Sequence, residues 1–385
     1  MKLASDRSTV LLEIDMRIVM LGASGNAGRT IATLLAPFLT ADDTLVLAGR
    51  DRAKLDATRA AIIGPAALET ALIDVDDPTT TRAGFDGAGL VVMTVSRPDL
   101  AGQIARIALD AGADWFDTML SSPVKLSALR ALRPEIERAG RCFVTDGGFH
   151  PGLPGALVRW AAGELDELQS ADVMGGLRTD WRAESLAEST VEEMLGEFNS
   201  FDLRAWVDGE WRRLKWSDCP TVDFGPPIGK QVCVPMPLAE MEDLPAMYPG
   251  LRNCGFYISG FGPVMDYLAL PVIMLMAKLP GLRGPTRRFT RWSFGRLASV
   301  PPPHRLVAKL EATGRRRGEP ATASVTVSGE EGYHLTAAPP VVCLRHLLDG
   351  SIRPPGLHLQ AHLIRPDTML AELAELGLDV ETAIR

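Results

Sequence analysis

The sequence predicts an α/β protein: a doubly wound Rossmann sheet of parallel strands carrying an inserted α+β domain with an antiparallel sheet. Three observations predict it. Short, nearly continuous apolar runs alternate with amphipathic helical stretches from Arg17 to Thr145, the pattern of a sheet covered on both faces. The first of these runs leads directly into the glycine-rich loop Gly22-Ala-Ser-Gly25-Asn-Ala-Gly28-Arg29. After Pro151 the alternation gives way to paired strand-like runs around turn signals. With 385 residues, the chain is also longer than one typical domain.

Taken in order, Arg17–Leu21 is a buried strand and Gly28–Leu39 a helix. Thr44–Ala48 is the second strand and Arg52–Ile63 the second helix. Ala71–Asp74 and Gly89–Thr94 are the third and fourth strands, followed by a helix over Leu100–Ala111. Asp114–Asp117 and Arg141–Thr145 close the series, with Lys125–Ala139 helical between them. Asp208-Gly209, between Ala205-Trp-Val and Glu-Trp211, signals a tight hairpin. Arg305–Thr313 and Ala321–Ser328 form a second hairpin with a basic tip, and Thr336–Leu348 and Pro366–Leu376 are helical. These runs divide the chain into an extension (1–15), a Rossmann domain (16–151), an α+β domain (152–334) and a C-terminal segment (335–385) returning to the first domain.

Composition narrows the function. A net charge of −8 argues against a general nucleic-acid binder. The five cysteines are scattered and contain no C-x-x-C pair, so they offer neither a disulfide framework nor a metal site and fit a reducing, cytoplasmic setting. Residues 1–15 do not read as a signal peptide. The apolar stretch Tyr267–Leu279 contains Pro271 and Lys278 and is too short to span a bilayer. It reads first as a buried helix, and otherwise as a pocket wall or a peripheral membrane contact, because Arg283, Arg287, Arg288, Arg291 and Arg296 follow it.

The glycine-rich loop gains meaning from its place between a strand and a helix. Gly22 suits a tight turn, Gly25 a close approach to a pyrophosphate, and Gly28 close helix packing. Ser24, Asn26 and Ala27 complete a phosphate cradle at the helix N-terminus. Where NAD-preferring sites carry an acidic residue at the end of the second strand, this chain has Arg50, a guanidinium suited to a 2′-phosphate. Asp51 is the alternative reader of the ribose. Asp74-Val75 either contacts the adenine or caps a helix, and Thr94-Val95-Ser96 lies beside the pyrophosphate and nicotinamide ribose. The cofactor expected is NADP.

Several blocks resemble the saccharopine dehydrogenase-like family, which includes saccharopine reductases and carboxynorspermidine dehydrogenases. They are GASGNAGR, LAGRDRAKL, Ala111–Asp117 and Asp146-Gly-Gly-Phe-His-Pro-Gly152, the last similar to a D-x-G-F-x-P-G loop that joins cofactor and catalytic domains. The resemblance implies a Rossmann domain with an inserted domain, a homodimer formed through that insert, and hydride transfer from NADPH to a carbon–nitrogen double bond. It places Asp146, Gly148 and Phe149 beside the cofactor and lets Thr190 face the nicotinamide. The sequence departs from the family after Asp117, where Thr-Met-Leu-Ser-Ser replaces an acidic pattern, and in its apolar, Arg-rich residues 256–300.

His150 and Asp117 sit at or just beyond strand ends, so they are candidates for proton transfer and substrate orientation. No metal is expected. Ser189-Thr-Val-Glu192 reads first as a capping box. Arg178 and Arg182 are candidate carboxylate clamps, and Phe256, Tyr257, Phe261 and Tyr267 read as core. Beside imine reduction stand two other readings: reduction of a C=C or C=O bond in an apolar, lipid-like substrate, and a non-catalytic dinucleotide-binding protein.

Overall fold

The computed structural model describes residues 15–182, 191–192, 194–196, 202–279 and 281–385. Its first sheet is parallel, with seven strands: β1 (Arg17–Leu21), β2 (Thr44–Gly49), β3 (Ala67–Leu72), β4 (Leu90–Met93), β5 (Asp114–Asp117), β6 (Cys142–Thr145) and β15 (Gly356–Leu359). Their spatial order is β15-β6-β5-β4-β1-β2-β3, so the chain reverses direction across the sheet between β1 and β4, where doubly wound folds bind ligands. Alternate strand residues feed two cores. Ile18 and Met20 face α1 (Asn26–Leu35) and the helix Gly332–Leu348, while Val19 and Leu21 face α4 (Ala101–Asp110) and α5 (Pro123–Arg138). Two further helices, α2 (Arg52–Ala61) and α3 (Pro78–Gly84), complete the crossovers after β2 and β3.

The second sheet is mixed rather than purely antiparallel. Its path is β10 (Thr221–Asp223), β11 (Lys230–Pro235), β12 (Asn253–Ser259), β7 (Glu167–Arg178), β13 (Arg305–Arg316), β14 (Glu319–Gly329) and β16 (Asp379–Ile384). Strands β12 and β7 run parallel and the other pairs along that path antiparallel. The hairpin β8 (Arg204–Val207) to β9 (Glu210–Arg213) attaches to β12. Its turn residues Asp208 and Gly209 both have positive φ, 55° and 85°, the pairing a two-residue hairpin requires. The β13–β14 hairpin runs further than expected, to a turn at Arg317-Gly318.

Two further expectations are corrected. The third strand lies at Ala67–Leu72, because strand pairing with β2 overrides the apolar run at Ala71–Asp74. The tail also serves both sheets: β15 extends the Rossmann sheet beside β6, whereas β16 forms an edge of the second sheet against β14. One face of the second sheet packs on α6 (Pro154–Glu164) through Ala171, Val173, Leu310 and Val325. Ser170, Asp172, Lys309 and Glu311 line a groove of about 820 Å³ on the other face.

Candidate functional site

Gly22 has φ +81° and accepts at its carbonyl from the Gly25 amide at 2.9 Å, closing the turn. Helix α1 then begins with Gly25 as its cap and no side chain capping it, so the Ala27 and Gly28 amides of its first turn point toward an anion site. Gly28 is required by close approach: a Cβ there would lie 2.4 Å from the Gly22 carbonyl oxygen and 2.6 Å from Thr94 Oγ1. Thr94 itself donates to the Leu21 carbonyl at 2.8 Å. Its hydroxyl thus buttresses the loop from beneath, a structural job beside the contact role expected. Val95 adjoins the same turn, with Cγ2 2.8 Å from where a Gly22 Cβ would stand, and Ser96 follows it, half-buried. Ser24, Asn26 and Ala27 line the loop and the first turn of α1.

At the end of β2, Arg50 is exposed, and among the described residues no carboxylate pairs with it. Asp51 has a different job: its carboxylate caps α2 by accepting from the Lys54 amide at 3.1 Å. The cation is therefore the group left to meet a ligand. Asp74 accepts from the Asp76 amide at 3.1 Å, ordering the turn before α3, while Val75 is buried. The cap of α3 is Asp77, not Asp74.

A fully buried charge cluster lies under the loop that follows β6. Lys125 Nζ meets Asp117 Oδ1 at 3.0 Å and Asp146 Oδ1 at 2.5 Å, and donates to the Met119 carbonyl at 2.8 Å. Burial alone would lower the Lys125 pKa, but the two carboxylates outweigh it and raise the value. Asp117 also accepts from Trp115 Nε1 and the Met119 amide, and Asp146 from the Ser121 hydroxyl. Neither carboxylate is exposed to solvent. Asp117 and Asp146 thus act here as anchors of the strand ends rather than as free groups facing a ligand.

The loop 146–152 is pinned from the other side by Glu240. This buried carboxylate accepts from the Gly152 amide at 2.6 Å and the Gly155 amide at 2.9 Å. Desolvation pushes it up to about 8, with Asp146 adding to the rise and the two amides opposing it. Because the folded pKa lies above the ordinary carboxylate value, this group favours folding most at low pH, and its contribution fades as pH rises toward 8. Glu240→Gln is expected to flatten the fall in stability between pH 5 and pH 8; equal slopes for the two proteins in chemical denaturation would refute this.

Gly148 and Phe149 bring the loop to His150. The His150 ring lies between Phe149, edge-on at 5.0 Å, and Phe256 of β12, stacked at 5.6 Å. Its Nδ1 is shielded and has no hydrogen-bond partner. Desolvation among these rings pushes the pKa down to about 4, so the imidazole is neutral at pH 7. It can offer a hydrogen bond there, but not the ready proton of an imidazolium.

Other candidates lie elsewhere. Thr190 and Ser189 fall outside the described residues. The Arg178 guanidinium donates to the Pro301 and Pro303 carbonyls, both at 3.1 Å, which uses it as a loop clasp. Arg182 is exposed. Among the described residues, no cluster of three or more His, Cys, Asp or Glu side chains could hold a metal ion. Lys125, Ser121, Glu240 and Phe256 as a stacking partner were not foreseen. The available signal was that two aspartates ending neighbouring buried strands need a cation nearby.

With this geometry in view, the comparisons are decisive for the first domain. Residues 18–144 match the family model described as saccharopine dehydrogenase NADP binding domain. The N-terminal domain is a saccharopine dehydrogenase NADP-binding domain. Its cofactor is NADP, and the chain is an NADP-dependent oxidoreductase. The whole fold is similar to apo saccharopine dehydrogenase (L-Glu forming) from Saccharomyces cerevisiae, with 15% identity, a TM-score of 0.70, and 96% of this chain and all of that one covered. DAP dehydrogenase from C. glutamicum aligns over 92% of this chain and 95% of its own, at 15% identity and a TM-score of 0.47. No curated protein matches the chain in sequence.

Proposed function

We propose that this protein reduces a C=C or C=O bond of an apolar substrate with NADPH, at the face where His150 leaves the Rossmann sheet toward β12. The observation that carries the choice of acceptor is the state of the polar groups there. Asp117 and Asp146 are held by Lys125, Arg178 is held by proline carbonyls, and His150 is neutral. A small zwitterion needs free charges to clamp it, whereas a carbonyl oxygen needs one neutral N–H donor, the role a neutral imidazole fills well.

NADPH, when bound, supplies the hydride. The chain's residues do the rest. The open N-terminus of α1 takes the pyrophosphate, and Arg50 takes the 2′-phosphate. The shielding of Nδ1 makes Nε2 the ring nitrogen open to a ligand, so His150 holds its proton there toward the substrate oxygen. Phe149 and Phe256 hold the imidazole in place, and water at its open side supplies the proton that completes the reduction after hydride transfer.

Imine reduction is the second reading. It is favoured by the one net negative charge that two aspartates and one lysine leave beneath the loop, since that charge would steady a cationic iminium. The two readings part in a substrate panel followed at the NADPH absorbance. Long-chain enones, enoyl thioesters and ketones should be reduced, and amine-plus-2-oxoacid pairs should not; the reverse result would sink the first reading. His150→Phe should keep the ring stack and NADPH affinity while lowering kcat about 10²-fold or more, as loss of a placed donor does.

The protein would work as a homodimer, with the open face of the second sheet, around Asp172, Lys309 and Glu311, as the contact. Sedimentation equilibrium reads this directly, and a monomer at micromolar concentration would contradict it.

A further inference from the structure

Tyr267–Leu279 is not the buried helix its composition predicts. A wide π-helical turn (Met265–Ala269) leads into the helix Leu270–Ala277, which packs against a second helix, Arg283–Ser293. Only one stripe faces inward. Met265, Ala269 and Ile273, spaced four apart, join Val191, Leu195, Phe294 and Ala298 in a small core of their own. The opposite stripe is equally apolar and faces outward: Val264, Leu268, Val272, Leu275 and Leu279 recur at intervals of three and four, with Leu268 66% and Leu275 62% exposed. Tyr267, in edge contact with Trp216, and Trp292 on the second helix extend the surface, and all three are exposed. A water-facing helix ordinarily carries charge at such positions, and contiguous exposed apolar surface marks an interaction site.

The charge around this stripe is opposite to that of the whole molecule. Between Val264 and Arg296 stand Lys278 and five arginines against one acidic residue, Asp266, in a chain of net charge −8. Asp266 is turned inward, accepting from the Phe261 and Gly262 amides. Arg283, Arg288, Arg291 and Arg296 are exposed. Arg287 is ion-paired with Glu192 of the neighbouring segment at 3.1 Å, which leaves the four exposed arginines as the excess charge of this region, and charges much beyond about 8 Å from it are screened at physiological ionic strength.

We infer that this helical pair docks the protein on a bilayer surface bearing anionic phospholipids. The aliphatic stripe would enter the headgroup boundary, Trp292, Tyr267 and Trp216 would lie at its level, and the arginines would meet lipid phosphates. No described helix is long and apolar enough to cross a membrane, so the attachment is peripheral. A second copy of the chain suits the surface less well, because a two-fold contact would set the same arginines against each other.

The test uses the full-length protein in co-sedimentation with phosphatidylcholine vesicles, with and without phosphatidylserine. The protein should pellet with the phosphatidylserine vesicles and be released by high salt. Leu268→Glu with Leu275→Glu should reduce vesicle partitioning at least about tenfold, and Arg288→Glu with Arg291→Glu should remove the preference for phosphatidylserine, at roughly fivefold per arginine. NADPH titration checks that both variants remain folded. The inference is overturned if the protein pellets with neither vesicle, or if the leucine variant pellets as the parent does. It is also overturned if that variant changes only the oligomeric state, or if RNA and not vesicles retains the protein through the arginines. None of these readouts depends on which double bond the enzyme reduces.

Discussion

Replacing Lys125 by methionine is expected to destabilise the protein by about 3–5 kcal/mol, the cost of leaving a buried charge without its partner. Methionine matches the lysine stem in length and removes only the ammonium. Asp117 and Asp146, both fully buried, would then face each other with no cation between them. They hold the ends of β5 and β6, so the loop to His150 should loosen as well. Urea denaturation at pH 7 measures the loss. Asp117→Asn combined with Asp146→Asn should recover part of it, because no buried charge would then remain. A variant as stable as the parent would mean that the three charges are hydrated, contrary to their burial.

The second large effect concerns Gly28. Alanine there sets a methyl group 2.4 Å from the Gly22 carbonyl oxygen and 2.6 Å from Thr94 Oγ1, so the start of α1 must move away from the loop. Overpacking of this kind costs about 1–3 kcal/mol, which a domain of this size can absorb. Phosphate binding cannot absorb it in the same way, because the amides of α1 would leave the positions the pyrophosphate needs. Gly28→Ala should therefore remain folded and bind NADPH at least about tenfold more weakly, a loss of the order of one charge-assisted hydrogen bond. Unchanged affinity in a fluorescence titration would mean that the cofactor does not use this loop.

The Rossmann half was legible because its signals are local. Strands such as Arg17–Leu21 and Leu90–Met93 are apolar on both faces, and Gly22, Gly25 and Gly28 follow a strand and open a helix. Arg50 could be read from its position alone. What stayed hidden depends on long-range contact. Nothing near Lys125 marks it as buried, since a lysine in the first turn of an amphipathic helix reads as solvated. Glu240 is far along the chain from Gly152, and the stacking of His150 on Phe256 joins the two sheets. Desolvation by those rings is what moved the imidazole away from neutral titration, and no sequence pattern reports it. The strand β16 was hidden for the same reason, as its partner β14 lies some fifty residues earlier. The outward stripe of Leu268 and Leu275 was misread because hydrophobicity ordinarily signals burial, a rule that holds in only one direction.

The Gly22–Gly28 loop and Arg50 together form the proposed NADPH site. Its most direct test is a paired titration of NADPH and NADH against the parent protein and Arg50→Ala. The parent should bind NADPH at least about tenfold more tightly than NADH, the worth of a charge-assisted contact to the 2′-phosphate. Arg50→Ala should lose that advantage while its NADH affinity stays the same. Equal binding of the two cofactors by the parent, with neither changed by Arg50→Ala, would contradict the account.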